Sequence, residues 1–386
     1  MELGVDRKLV SHVPWGLLGL VVATALLGVY NLASAARLSS SGVWLSQVLY
    51  LGMGLAAVAV VALLDYRVLR SAAVPFYLFN IAALVALKFI GHKAKGAESW
   101  FVLGPFRLQP AEFMKLGMIL MLAKYFHDED QRDPRGYGFL RLAPPIAIAL
   151  LPIGMVLVQP DLGTALMMLF TATTVLLFAK PRWTVLAVFA VVVLGSVGVL
   201  WNDYVRPQAE PRWTVVRQKL KRHQDARISG WLDPTTDLRG SNYHSMQSKI
   251  AVGSGGLGGK GWKEGTQTGL RFLPEQHTDF IFSVFAEEQG FLRSLVLLLL
   301  YSATLLSALK VALVAKERFG AFVAVGVAAM VFWQVFENIG MVTGLLPITG
   351  ITLPLMSYGG SSMLSVMLGI GLLVNIAMRR QRLRGS

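Results

Sequence analysis

Four short polar segments interrupt an otherwise apolar chain, and their residue types suit acid–base and anion chemistry. Glu112 and Lys115 stand three residues apart, and Asp161 follows Gln159-Pro160. His277-Thr278-Asp279 opens a long apolar run, and Ser357 begins the stretch Ser357-Tyr358-Gly359-Gly360-Ser361-Ser362. A positioned carboxylate can take a proton from an attacking hydroxyl. A cation can offset negative charge growing on a leaving group. The chain has no cysteine, which excludes disulfides and thiolate chemistry.

Local physics offers a second account of each residue. An acid in the first turn of a helix suits the helix dipole, so Asp279 reads either as part of a helix start, with Thr278 as cap, or as half of an active site. Asp161 reads as the cap of the following helix or as a supporting polar residue. Gln109-Pro110 opens another helix and puts Glu112 in its first turn, with Lys115 on the same face. A cation so near a helix N-terminus needs an anionic partner, either Glu112 or a bound phosphate. Glu287 and Glu288 could pair with Arg293 or with loop cations. In the last polar segment, Ser361 or Ser362 would cap the final helix.

The elements that must position these residues are set by composition. Of 386 residues, 54% are hydrophobic and 15% charged, where a soluble domain carries about 25% charged residues. Apolar runs long enough to cross a bilayer core recur at 15–34, 43–64, 74–90, 110–126, 142–158, 162–179, 183–201, 279–309, 319–345 and 361–378. The predicted fold is an all-α polytopic membrane protein: ten transmembrane helices in one integral membrane domain over 1–386. A large extracytoplasmic loop, 202–278, joins spans seven and eight. The run 279–309 exceeds one perpendicular crossing, so Asp279 to Gln289 should stand at or above the interface. Ala33-Ser34-Ala35 resembles a cleavage site, but the apolar run before it is too long for a signal peptide and reads as an uncleaved anchor.

Lys and Arg set the orientation. Arg67, Arg70, Lys124, Arg141, Lys180, Arg182, Lys316, Arg318, Arg379 and Arg380 fall on the side of both termini, which the positive-inside rule makes cytoplasmic. The polar segments then face outside. Much of the net charge of +14 sits on these loops and implies membrane lipid rather than nucleic acid as partner. Within 202–278, Arg212 to Arg227 suits a helix lying among lipid headgroups, or an ordinary solvated helix. Gly253-Ser254-Gly255-Gly256-Leu257-Gly258-Gly259-Lys260-Gly261 follows no strand, so it is no dinucleotide loop. It reads as a flexible turn or as backbone amides gripping a phosphate.

Four ordered blocks carry a family resemblance: LQPAEFMK (108–115), QPDLGTAL (159–166), the stretch from Gln247 to Phe291, and LLPITGITLPLMSYGGSS (345–362). The chain resembles the SEDS family (shape, elongation, division and sporulation) of membrane peptidoglycan polymerases, and its RodA-like elongation branch more than the FtsW-like division branch. Ser99 and Ala111 depart from the family pattern, which usually has Arg and Ser at those positions. The resemblance implies inverting glycosyl transfer from lipid II at the outer leaflet, with a class B penicillin-binding protein as partner. It maps the key aspartate onto Asp279, as general base or as ligand to a divalent cation, Mg or Mn. Lys115 would meet the pyrophosphate and Glu112 would orient it. Asp161, His277 and Ser357 would support substrate binding. A lipid II flippase and a non-catalytic scaffold of the cell-wall complex are the rival functions.

Overall fold

The computed structural model describes residues 12–37, 42–90, 92–94, 97–103, 106–129, 136–159, 161–204, 222–232, 241–270, 272–273 and 275–379. It is a helical bundle. The first three helices are α1 (Trp15–Ala35), α2 (Val43–Leu63) and α3 (Tyr66–Ile90). After a small sheet come α4 (Pro110–Asp128), α5 (Phe139–Val158), α6 (Leu162–Phe178) and α7 (Trp183–Tyr204). The long connection holds α8 (Arg222–Leu232), α9 (Ser241–Ser254) and α10 (Thr266–Gly269). The chain then runs through α11 (Ile281–Val314), α12 (Arg318–Thr343) and α13 (Gly360–Met378).

Each of the ten expected spans coincides with a helix. Eight are long and apolar enough to cross a membrane by length and composition. The exceptions are α6, with 17 residues, and α4, whose 19 residues include Glu112, Lys115 and Lys124. Both pack inside the bundle, where protein rather than lipid surrounds their polar groups. The centre is built from α4, α12 and α13, and α7 buries only Asp203.

Three local expectations are corrected. α3 begins at Tyr66 rather than near 74, because Asp65 accepts from Arg67 N at 2.8 Å and starts the helix before the apolar run. The connection before α4 carries an antiparallel sheet, β1 (His92–Ala94), β2 (Ala97–Leu103) and β3 (Phe106–Leu108), which hydropathy did not reveal. Of the expected headgroup helix, 212–221 lie outside the described residues, and α8 begins at Arg222.

Polar residues separate to the two ends. At one end Arg318 donates to Glu129 O and Tyr137 OH, Arg70 approaches Glu317 at 3.8 Å, and Arg379 reaches the Leu64 carbonyl. At the other end stand the segments around Asp161, Asp279 and Ser357.

Candidate active site

Asp279 precedes the helix start. The N-cap of α11 is Phe280, which offers no side-chain hydrogen bond. Thr278 spends its hydroxyl on Glu275, donating to Oε2 at 3.1 Å. The expected Thr278 cap is therefore absent: the chain turns one residue later than the polar residues suggest. Asp279 still lies beside the exposed amides of a helix N-terminus, where negative charge is favoured.

The main chain here is held from several directions. His277 O accepts from Tyr358 N at 3.0 Å, and Thr278 O from Ser357 Oγ at 2.6 Å. Asp279 O accepts from Asn338 Nδ2 at 2.8 Å, and Ile281 O from Asn31 Nδ2 at 3.0 Å. Donors from α1, α12 and the 351–359 turn thus fix both sides of Asp279. That turn is itself fastened: Ser357 Oγ accepts from Leu353 N at 2.8 Å, Gln47 Nε2 donates to Ser357 O at 2.9 Å, and Asn338 Nδ2 also donates to Ile351 O at 2.7 Å. Such irregular backbone persists inside a membrane protein only where partners satisfy it.

A second group gathers around α4. Lys115 donates to Glu112 Oε1 at 2.9 Å, with both side chains buried, and Ser365 Oγ donates to Glu112 Oε2 at 3.1 Å. Asp161 caps α6 by accepting from Thr164 N at 3.0 Å, and it accepts from Gln109 Nε2 at 3.2 Å. Burial pushes its carboxyl above the usual carboxylate range, against the Thr164 hydrogen bonds that favour the charged form. Glu337 of α12, 2% exposed, lies within Coulombic range of Lys115 and Asp161. Its Oε2 finds no hydrogen-bond partner among the described residues.

Thr349-Gly350-Ile351 joins the two groups. Asp279 Oδ2 approaches within 3.4 Å of where a Gly350 Cβ would stand. Gly163, two residues after Asp161, packs against Thr349 O and Ile351 so closely that a methyl group would collide. Arg227 of α8 reaches the same segment, its Nη1 donating to Thr349 O at 3.5 Å. The Asp279 carboxylate and the Arg227 guanidinium thus flank one stretch of backbone, against which the start of α6 also packs.

The glycine-rich loop has a structural task. Lys260 N donates to Glu287 O at 3.1 Å and Gly261 N to Glu288 O at 3.0 Å, while Phe291 N donates back to Gly256 O at 2.8 Å. These amides are occupied, so the phosphate-cradle reading fails. They clasp α11 where Gly290 breaks it, at φ 74° and ψ −175°. Glu287, fully buried, pairs with Lys260 at 2.7 Å and accepts from Gln267 N at 2.9 Å. Arg293 instead donates to Gly258 O.

The predicted residues thus divide by role. Asp279 borders the Thr349–Ile351 segment, and Lys115 and Glu112 form a buried pair within Coulombic range of Asp161. Ser357 is 4% exposed with its hydroxyl spent at both ends, which makes it a clamp rather than a substrate ligand. His277 lies against Tyr358, ring centroids 6.1 Å apart. Ser361 does not cap α13, whose N-cap is Gly359; its Oγ accepts from Gln109 N at 3.0 Å and donates to Arg107 O at 3.0 Å. Sequence reasoning missed Glu337, Asn338 and Arg227. An acid inside the apolar run of α12 was the available signal for Glu337; Arg227 lay in a basic stretch with nothing to single it out. Among the described residues no three His, Asp or Glu side chains form a metal-holding group. Asp279 could supply one carboxylate to a divalent cation that took its other ligands from phosphate and water.

Fold and site together define a polytopic helical membrane protein whose ionisable groups meet under a backbone-rich turn at one end of the bundle. The family model described as cell cycle protein, grouping FtsW, RodA and SpoVE, matches residues 9–382. The chain belongs to this family. Peptidoglycan glycosyltransferase MrdB of Escherichia coli (strain K12) is 38% identical over 340 residues, covering 87% of this chain and 86% of that protein. Stage V sporulation protein E of Bacillus subtilis is 37% identical over 335 residues, covering 86% of each. Among solved structures, the rod shape determining protein RodA of Thermus thermophilus has a TM-score of 0.68 at 30% identity, over 96% of this chain and 98% of that one. A chain solved in work on the structural coordination of polymerization and crosslinking by a peptidoglycan synthase complex has a TM-score of 0.77 at 32% identity, over 96% of this chain and 99% of that one.

Proposed function

We propose that this protein is a peptidoglycan glycosyltransferase that polymerises lipid II at the outer leaflet during cell elongation. The observation that carries the site assignment is the clamped backbone on both sides of Asp279. Holding a reactive group in place matters because a displacement of about 1 Å can cost about 100-fold in rate. The acceptor sugar's 4-hydroxyl attacks the donor's anomeric carbon, the lipid pyrophosphate leaves from the opposite face, and the configuration inverts. Asp279 takes the hydroxyl proton as the new bond forms. Lys115, oriented by Glu112, and Arg227 supply positive charge for the pyrophosphate. Asp161 and His277 border the substrate, and Ser357 acts by placing Asp279. In the alternative role, Asp279 would instead hold a divalent cation, Mg or Mn, that would neutralise phosphate charge. A class B penicillin-binding protein, as cross-linking partner, follows from the family resemblance.

The test is glycan synthesis by purified protein supplied with lipid II and Mg or Mn. Asp279→Ala should lower the rate by about 100-fold or more with an unchanged melting temperature. Equal polymerisation by Asp279→Ala would sink the catalytic assignment. Wild-type protein that carried lipid II across vesicles without polymerising it, even beside its partner, would establish the flippase.

A further inference from the structure

Four side chains inside the bundle present oxygen atoms that find no hydrogen-bond partner among the described residues. They are Thr171 Oγ1 of α6, and Gln334 Oε1, Glu337 Oε2 and Asn338 Oδ1 of α12. Each of the four residues is 2% exposed or less. On α12, Gln334 neighbours Glu337 at i+3 and Asn338 at i+4, with Cβ atoms about 5–6 Å apart. Asn338 cannot turn its oxygen elsewhere, because its Nδ2 is committed to Asp279 O and Ile351 O.

α6 meets α12 at this level. Trp333 stacks on Phe170, ring centroids 4.7 Å apart, and its Nε1 donates to Thr174 Oγ1 at 3.0 Å. Trp333 and Phe170 are half-buried, and the next residue on each helix, Gln334 and Thr171, is buried. Gln334 lies nine residues before the end of α12 at Thr343, and Thr171 nine after the start of α6 at Leu162. Both therefore sit about 14 Å down their helices from the end that holds Asp161 and Asp279.

This set calls for a positive charge. Glu337 is an acid in the interior of a membrane protein, where an ionised group is costly unless paired. Lys115, within Coulombic range, gives its ammonium to Glu112 at 2.9 Å, and Asp161 adds negative charge of its own. Ordered water would satisfy the three neutral oxygens and leave the carboxylate unbalanced. A donor set made only of oxygen suits hard cations rather than soft transition metals. One carboxylate with three neutral oxygens matches a single positive charge.

We propose that Thr171, Gln334, Glu337 and Asn338 hold a monovalent alkali cation, Na⁺ or K⁺, between α6 and α12. The ion would fix the Asn338 amide, whose nitrogen carries Asp279 O. Its occupancy is thereby linked to the placement of the aspartate.

The experiment melts the full chain in detergent without lipid II, replacing N-methylglucamine chloride by NaCl or KCl at constant ionic strength. The wild-type melting temperature should rise with the logarithm of the concentration of the preferred ion, which binds the folded state alone. The two salts tell which ion that is. Losing a group that supports a metal ligand costs about 10–100-fold in affinity, so Glu337→Gln, which loses the charged ligand itself, should need about 100-fold more salt for the same rise. In N-methylglucamine chloride Glu337→Gln should melt no lower than wild type, which separates a lost ion from a failed fold. Thr171→Val should blunt the response in the same direction. With Mg held constant, glycan synthesis by wild type should follow the same salt dependence, in kcat rather than KM. Melting indifferent to the salt, or an equal response in Glu337→Gln, overturns the proposal in favour of ordered water. A response to Mg alone that Glu337→Gln abolishes overturns it in favour of a divalent ion. Because melting is read without lipid II, a failure of the polymerase reading leaves the ion test intact.

Discussion

Asp279 is placed through its main chain, and Asn338 does much of the placing. One amide nitrogen of Asn338 serves two carbonyls, Asp279 O and Ile351 O, and so ties α12 to both the aspartate and the 351–359 turn. Removing it leaves two enclosed acceptors without their donor, at a cost of about 1–3 kcal/mol for each that water cannot reach. Asn338→Ala should therefore lower the melting temperature in detergent and reduce glycan synthesis, whereas Asp279→Ala reduces synthesis alone. Equal stability and activity in the Asn338 variant would refute its positioning role. At this scale the sequence was half legible. A carboxylate before an apolar run announces either a cap or a reactive group, and one-dimensional spacing cannot separate them. The structure puts Phe280 at the cap position and adds four donors, distant in sequence, that hold the main chain around Asp279. Lys115 was legible as a cation needing an anion, and in the structure Glu112 pairs with it.

Between residues and bundle, the element that matters most is the broken helix α11. Its first segment, Ile281–Gln289, is buried to the last residue, and the glycine-rich loop grips the break. Gly290 adopts a backbone conformation that is essentially restricted to glycine and costs other residues about 1–3 kcal/mol. A methyl group there would also strike Gly259 N. Gly290→Ala should lower thermal stability by at least that strain and slow glycan synthesis, because the segment behind Asp279 would have to re-pack. Unchanged melting and rate would show that the break is incidental. The excess length of the 279–309 run led to the expectation that its first part stands at the interface, and the structure breaks the helix at Gly290. The partner of the break was not legible, since a run of glycines looks the same whether it grips a phosphate or a helix. Backbone hydrogen bonds carry no side-chain signature.

For the whole molecule, orientation is the property to test, and the absence of cysteine provides a clean background. A cysteine at Leu257, which is 70% exposed in the clasp loop, should react with a membrane-impermeant maleimide on intact cells. A cysteine at exposed Lys316, beside the basic end, should react only after the membrane is opened. The reverse pattern would invert the topology and remove Asp279 from the outer leaflet. By itself the sequence determined the class of protein, the positions of its helices and the likeness to a family. Apolar runs and the distribution of Lys and Arg report directly on solvent, because bilayer thickness and surface charge act on each segment separately. Only the tertiary structure decided which polar residues share a site. It set Asp279 and Arg227 against the Thr349–Ile351 segment, put Glu337 within Coulombic range of Asp161, paired Lys115 with Glu112, and turned the glycine loop into a clasp. Those outcomes depend on which helices become neighbours, and buried polar groups take whichever partner the packing offers them.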